Sequence, residues 1–160
     1  MKRTVVFPLA MVGLISIGLF GCHTRYIPNT SVEATDFNRS VIAFCERYRH
    51  AVEEMNMGLV LALASPQYFD NNGTPLGDDD IDKTGLEDFL HGQFSHVKAI
   101  RYEFKYRDVY KENMKVCVDY TYTISFQFEL DGDLKWSNKT ADNRLELEAV
   151  DGGFLILSGM

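Results

Sequence analysis

The stretch Met114-Lys115-Val116-Cys117-Val118-Asp119-Tyr120-Thr121-Tyr122-Thr123-Ile124-Ser125-Phe126-Gln127-Phe128-Glu129 decides the fold. Its even positions are apolar or aromatic, from Met114 through Tyr120 and Tyr122 to Phe128, and its odd positions are polar apart from Cys117. Successive side chains of an extended chain point to opposite faces, so this period of two predicts a strand with one buried face. Unbroken phase over this span far exceeds the usual strand of about 5–6 residues and predicts a long, bent strand. The same alternation runs upstream from 99 to 107, with Ile100, Tyr102, Phe104 and Tyr106 opposing Arg101, Glu103, Lys105 and Arg107. Downstream, Asp131-Gly132 reads as a hairpin turn into a third strand. There the apolar phase changes from even (Leu134, Trp136) to odd (Leu145, Leu147, Ala149), which predicts a bulge or break between Ser137 and Asn143. Asp151-Gly152-Gly153 turns into a last strand, Phe154 to Met160.

Helical periods precede this sheet. From Asp36, read as an N-cap, apolar residues recur at Val41, Phe44, Cys45, Tyr48, Val52 and Met55, the spacing of one helical stripe. Asn56 closes this helix, and Met57 to Ala64 forms a second, short one ended by Pro66. A turn-rich stretch from Asn71 to Gly77 is followed by the acid cluster Asp78, Asp79, Asp80 and Asp82, and a third helix, Thr84 to Phe94, is expected to bury Leu86, Phe89, Leu90 and Phe94. Helices followed by antiparallel strands give an α+β plan.

The 160 residues are 46% apolar, with 12 glycines and 4 prolines, an ordinary composition for one globular domain. Sixteen Lys and Arg against 23 Asp and Glu leave a net charge of -7, which excludes binding driven by phosphate neutralisation and hence a nucleic-acid partner. Lys2 and Arg3 precede the uncharged, mostly apolar run Thr4 to Phe20, the layout of a secretory signal peptide. Leu19-Phe20-Gly21-Cys22 resembles the lipobox of bacterial lipoproteins. The resemblance implies cleavage after residue 21, lipidation of Cys22 and a place in the cell envelope, with His23 after the cysteine favouring the outer membrane. Two or three acyl chains make such an anchor stable, at about 0.8 kcal/mol per buried methylene. The mature chain would carry 14 positive and 23 negative charges, with residues 22–35 as a tether and 36–160 as the folded domain. Cys45 and Cys117 could pair in an oxidising compartment. However, Cys45 lies on the inward stripe and Cys117 on the polar phase of its strand, so free thiols are expected.

The order of elements, the phrases Glu46-Arg47-Tyr48 and Leu61-Ala62-Leu63-Ala64-Ser65-Pro66-Gln67-Tyr68-Phe69-Asp70, and the ending Gly153 to Met160 resemble the nuclear transport factor 2-like superfamily over residues 36–160. That resemblance, shared with polyketide cyclases and ketosteroid isomerases, implies a cone in which a strongly curved antiparallel sheet wraps N-terminal helices around a pocket. It also implies an oxyanion donor at Tyr48. The general-base position falls on Asn72, an amide that cannot take a proton, with Asp70 two residues earlier.

Two sets of residues are candidates. Asp70 with Tyr48 could act as base and donor if burial raises the carboxyl pKa. Tyr48, Tyr68, Tyr102, Tyr120, Tyr122 and Trp136 could line an apolar pocket, since such pockets are mostly hydrophobic with a few polar groups. The acid cluster fails the calcium-loop template, with Pro75 at the glycine position and Ile81 at the glutamate position, and the four histidines are scattered. No metal or cofactor is expected. The polar sheet face, with Arg101, Lys105, Arg107 and Lys115 among acids, suits solvent or a second copy of the chain. The leading expectation is a lipid-anchored, non-enzymatic envelope domain that binds a small apolar ligand or a protein partner. The alternatives are a lyase or isomerase, and a structural accessory subunit.

Lipidation has a direct test. Cys22→Ser should move the protein from the membrane fraction to the soluble fraction of cells, and continued membrane attachment of that variant contradicts the lipobox reading.

Overall fold

Helix α1 (Asp36–Glu53) begins one residue earlier than a cap at Asp36 implies, because the Thr35 hydroxyl accepts from the Asn38 N–H at 3.0 Å and takes the capping role. Such a cap contributes about 1 kcal/mol. The stripe Val41, Phe44, Cys45, Tyr48 and Val52 is buried as expected. Met55 leaves the helix at φ 51°, and the Asn56 side chain starts helix α2 (Met57–Leu63) by accepting from Leu59 N–H. A computed structural model describes residues 24–71 and 80–160. The signal-like segment, Cys22 and most of the acid-rich turn lie outside them.

Strands β1 (Phe69–Asp70) and β2 (Ile81–Asp82) pair as a small antiparallel ladder. Asp82 then caps helix α3 (Lys83–Ser95) through Gly85 N–H. The main sheet is an antiparallel meander in the order β3 (Ala99–Glu112), β4 (Lys115–Leu130), β5 (Asp133–Val150) and β6 (Gly153–Ser158). Asp131 and Gly132 both take positive φ, 57° and 82°, as a tight hairpin turn requires. Among the described residues no helix is long and apolar enough to cross a membrane.

Four local expectations are corrected. The first strand does not stop at Arg107: a register shift between Tyr106 and Asp108 makes Arg107 the extra residue, and beyond it Val109 takes over the inward phase. A bulge of this kind adds twist and bends the strand. Met114 is in the turn at φ 66° and is almost fully exposed, so β4 begins at Lys115. The break expected between Ser137 and Asn143 is absent: β5 pairs with β4 in one unbroken register from Asp133 to Leu147, and the irregularity falls instead between Glu146 and Leu147, against β6. Finally, residues 25–34 are not a free tether. Tyr26 bridges to Glu33, Ser31 N–H donates to the Tyr106 carbonyl, and Val32 is fully buried in the core.

The core lies between the concave sheet face and α1 and α2, with Val118, Tyr120, Leu145, Leu147 and Ile156 opposite Val41, Cys45, Ala51 and Val60. Its buried residues begin at Val32, so a chain starting at His23 retains all of them. Cys45 and Cys117 are both buried free thiols. Cys117 is on the outer phase, as its parity required, next to Tyr110 and Glu146, its strand partners on either side.

Gly159 ends the sheet at φ 89°, where an added Cβ would stand 1.9 Å from the Arg144 carbonyl oxygen. Gly152 has a similar φ of 87° but nothing within 4 Å. Gly159→Ala should therefore lower stability by about 3 kcal/mol, from strain plus overlap, against about 1 kcal/mol for Gly152→Ala. Urea unfolding of the two variants checks this, and equal losses contradict it.

Candidate functional site

Helix α3 packs on α2, while α1 packs directly on β3, and a cavity of about 360 Å³ opens between α3 and the sheet. Its position on α2 is fixed by Lys83, whose ammonium donates to the Ala64 carbonyl at 2.7 Å and also to the carbonyl of Leu61. Burial lowers the Lys83 pKa from its ordinary value. The helical wall of the cavity is apolar, with Val52, Val60, Leu86, Leu90 and Phe94, and the sheet wall presents Ile100, Ile124 and Phe126. Polar groups on the wall are Tyr48, Tyr102, Tyr122, Gln93, Lys139 and Asn143.

Alternation explains how the phenols meet. Tyr102 and Tyr106 of β3 and Tyr120 and Tyr122 of β4 all fall on the inward phase, in adjacent register, and Tyr48 projects toward them from the buried stripe of α1. Tyr48 and Tyr102 pack edge to face with ring centres 6.5 Å apart, and Tyr102 and Tyr122 do so at 5.8 Å. Phe104 fills the space between, 4.3 Å from the Tyr120 ring. Hydrogen bonds link the hydroxyls of Tyr48, Tyr102 and Tyr120. The chain ends where Asn143 Nδ2 donates to Tyr120 Oη at 3.0 Å and to the Gly159 carbonyl at 3.0 Å. Burial holds all three phenols neutral: it pushes Tyr48 and Tyr120 well above the ordinary value and Tyr102 up to about 12.

The six expected pocket aromatics therefore separate. Tyr48, Tyr102 and Tyr122 line the cavity. Tyr120 is fully buried behind Tyr102, and Tyr68 is buried beside Tyr48 with its hydroxyl on the Asp70 carboxylate. Burial first, and then the Asp70 charge, raise the Tyr68 pKa. Trp136 is on the opposite face of the sheet, half exposed, with the Arg101 guanidinium 4.9 Å from its ring centre. Its even position in an unbroken β5 register makes that placement obligatory.

Asp70 is not among the residues lining the cavity. One carboxylate oxygen accepts from Gly159 N–H at 2.7 Å, so Asp70 and Asn143 hold Gly159 from its amide and carbonyl sides. In this position the carboxylate fastens the end of the sheet, and Tyr48 and Asp70 do not face one another across an open space. Lys139, Asn143 and Gln93 were missed in the sequence reading. The signal for the first two was present: the odd phase of Leu145 and Leu147, continued backward, points Asn143, Ala141 and Lys139 inward.

Neither a protein-family model nor a curated protein matches the sequence. Solved structures do match its fold. A protein from Streptomyces avermitilis assigned as a dehydratase of the nuclear transport factor 2-like family superposes with a TM-score of 0.64 at 12% identity, over 76% of this chain and 92% of that one. A ketosteroid isomerase-like protein from Erwinia carotovora atroseptica gives 0.60 at 15% identity, over 78% and 94%. A protein from Xanthomonas campestris assigned as a calcium/calmodulin-dependent protein kinase II association domain gives 0.62 at 18%, over 85% and 90%. At these identities the likeness establishes a nuclear transport factor 2-like fold.

The phenol cluster predicts an alkaline weakness. Unfolded tyrosines ionise near pH 10, whereas Tyr102 in the fold ionises at about 12. A folded pKa above the unfolded one contributes stability that is complete below pH 10 and is lost as pH rises toward 12. Each buried phenol should remove about 1.4 kcal/mol per pH unit in that window. Denaturant unfolding across this range checks the slope, and a stability independent of pH there contradicts it.

Proposed function

We propose that this nuclear transport factor 2-like domain is a lipid-anchored, non-catalytic receptor for a small, mainly apolar molecule held between α3 and the sheet. The observation that carries the reading is the cavity itself: about 360 Å³, a size in the range of small-molecule sites, walled chiefly by aliphatic and aromatic side chains. The hydroxyls of Tyr48 and Tyr102 are engaged with one another and with Tyr120, so they shape the floor and keep their protons.

The competing reading, a lyase or isomerase, draws on the similar folds assigned as dehydratase and ketosteroid isomerase-like. It needs a carboxylate able to reach a ligand. Asp70, the carboxylate proposed for that task, is committed to Gly159 N–H and to Tyr68, which favours binding over turnover. The anchoring part of this reading is supported by Lys2, Arg3, the apolar run and the lipobox-like Leu19-Phe20-Gly21-Cys22, with a bacterial envelope, by default the outer membrane, as the proposed location.

A neutral fluorescent dye such as phenylnaphthylamine tests the cavity, using the chain from His23, which contains the whole core. The dye should bind with fluorescence enhancement, and Ile124→Trp, which fills the space beside Tyr122, should weaken it at least about tenfold, the effect of losing about 1.4 kcal/mol. Asp70→Asn should lower stability yet leave dye affinity within about twofold, because its side chain is off the cavity wall. Dye binding that is unaffected by Ile124→Trp contradicts the assignment.

A further inference from the structure

Among the described residues that line the cavity, Lys139 alone has a charged side chain. Lys139 stands on the inward phase of β5 opposite Ile124, with Tyr122 and Phe126 as its diagonal neighbours, and it is exposed, which puts the ammonium at the mouth. Lys98 and Lys115 have Glu129 and Glu146 within 4 Å, whereas Lys139 has no ion-pair partner among the described residues. Deeper polar groups have partners already: Tyr48 and Tyr102 bond along the phenol chain, and Asn143 uses its amide on Tyr120, on the Gly159 carbonyl and on the Arg144 N–H. The chain as a whole is at -7, so its general field repels anions and any attraction for one must be local.

We propose that the ligand is an amphipathic anion: an apolar body lying against Leu86, Leu90 and Ile124, with a single carboxylate-type headgroup paired to Lys139 at the opening. The proposal rests on the cavity being a ligand site and adds the chemical class of what enters it. Charge stays at the mouth, where water still solvates both partners, so neither ion bears the full cost of burial. The body displaces water from the apolar wall and supplies most of the affinity. Lys139 supplies the choice between an acid and its uncharged analogue, through a charge-assisted hydrogen bond that the analogue cannot match.

Displacement of bound phenylnaphthylamine by decanoate and by decanol, on the chain from His23, tests this. Decanoate should displace the dye at roughly tenfold lower concentration than decanol, as a hydrogen bond to a charged group provides. Lys139→Met should abolish that preference, bringing decanoate and decanol to equal potency. Lys135→Met, which removes a lysine of the same phase that does not line the cavity, should preserve it. Equal potency of the two displacers on the unmodified chain overturns the headgroup assignment alone, as does a preference that survives Lys139→Met. A chain that binds neither the dye nor decanol overturns the cavity reading from which the proposal starts.

Discussion

Arg49 lies between Glu46 and Glu53 at 2.8 and 2.6 Å and reaches the Tyr102 carbonyl at 2.9 Å, while Glu53 accepts from the Tyr102 N–H. Glu46 also accepts from the Tyr106 hydroxyl. β3 is an edge strand, so the N–H and C=O of Tyr102 would otherwise face water or another chain. By taking both, α1 closes that edge and is fixed in register against the sheet, which in turn sets Tyr48 over Tyr102 and Phe104. Exposed ion pairs contribute little, but these groups are half-buried and replace the hydrogen bonds of a missing strand.

Helix α3 is held differently. Asp82 caps its first turn through Gly85 N–H, Lys83 ties that turn to the end of α2, and its body faces the sheet across the cavity. One helix clamped to the sheet and another fastened only to its neighbour leave a wedge of space between them. The bulge at Arg107 and the length of β4 and β5 curve the sheet around that wedge. The same curvature brings Gly159 back to Asp70 and Asn143, so the residue once read as a general base closes the sheet.

Where one period governed a whole element, the sequence was readable. β4, the stripe of α1 and the Asp131-Gly132 turn follow from spacing alone, because burial of one face leaves a single register. The errors came where apolar character and strand phase disagree. Leu134 and Trp136 look like core residues, but their even positions in the unbroken β5 register put them on the outer face, where Trp136 rests on Arg101. Following those two residues suggested a bulge in β5 and concealed Lys139 and Asn143. Val32 was unreadable for another reason: a lone apolar residue in a polar segment has no period, and only the groove beside β3 gives it a place.

The account stands on the wedge between α3 and the sheet being an occupied site. Native mass spectrometry of the chain from His23, purified from a bacterial host without detergent, tests this most directly. The account predicts a small-molecule mass increment under gentle conditions that disappears on denaturation and is missing from Ile124→Trp. A bare chain mass under both conditions, persisting after incubation with decanoate and with decanol, would contradict it.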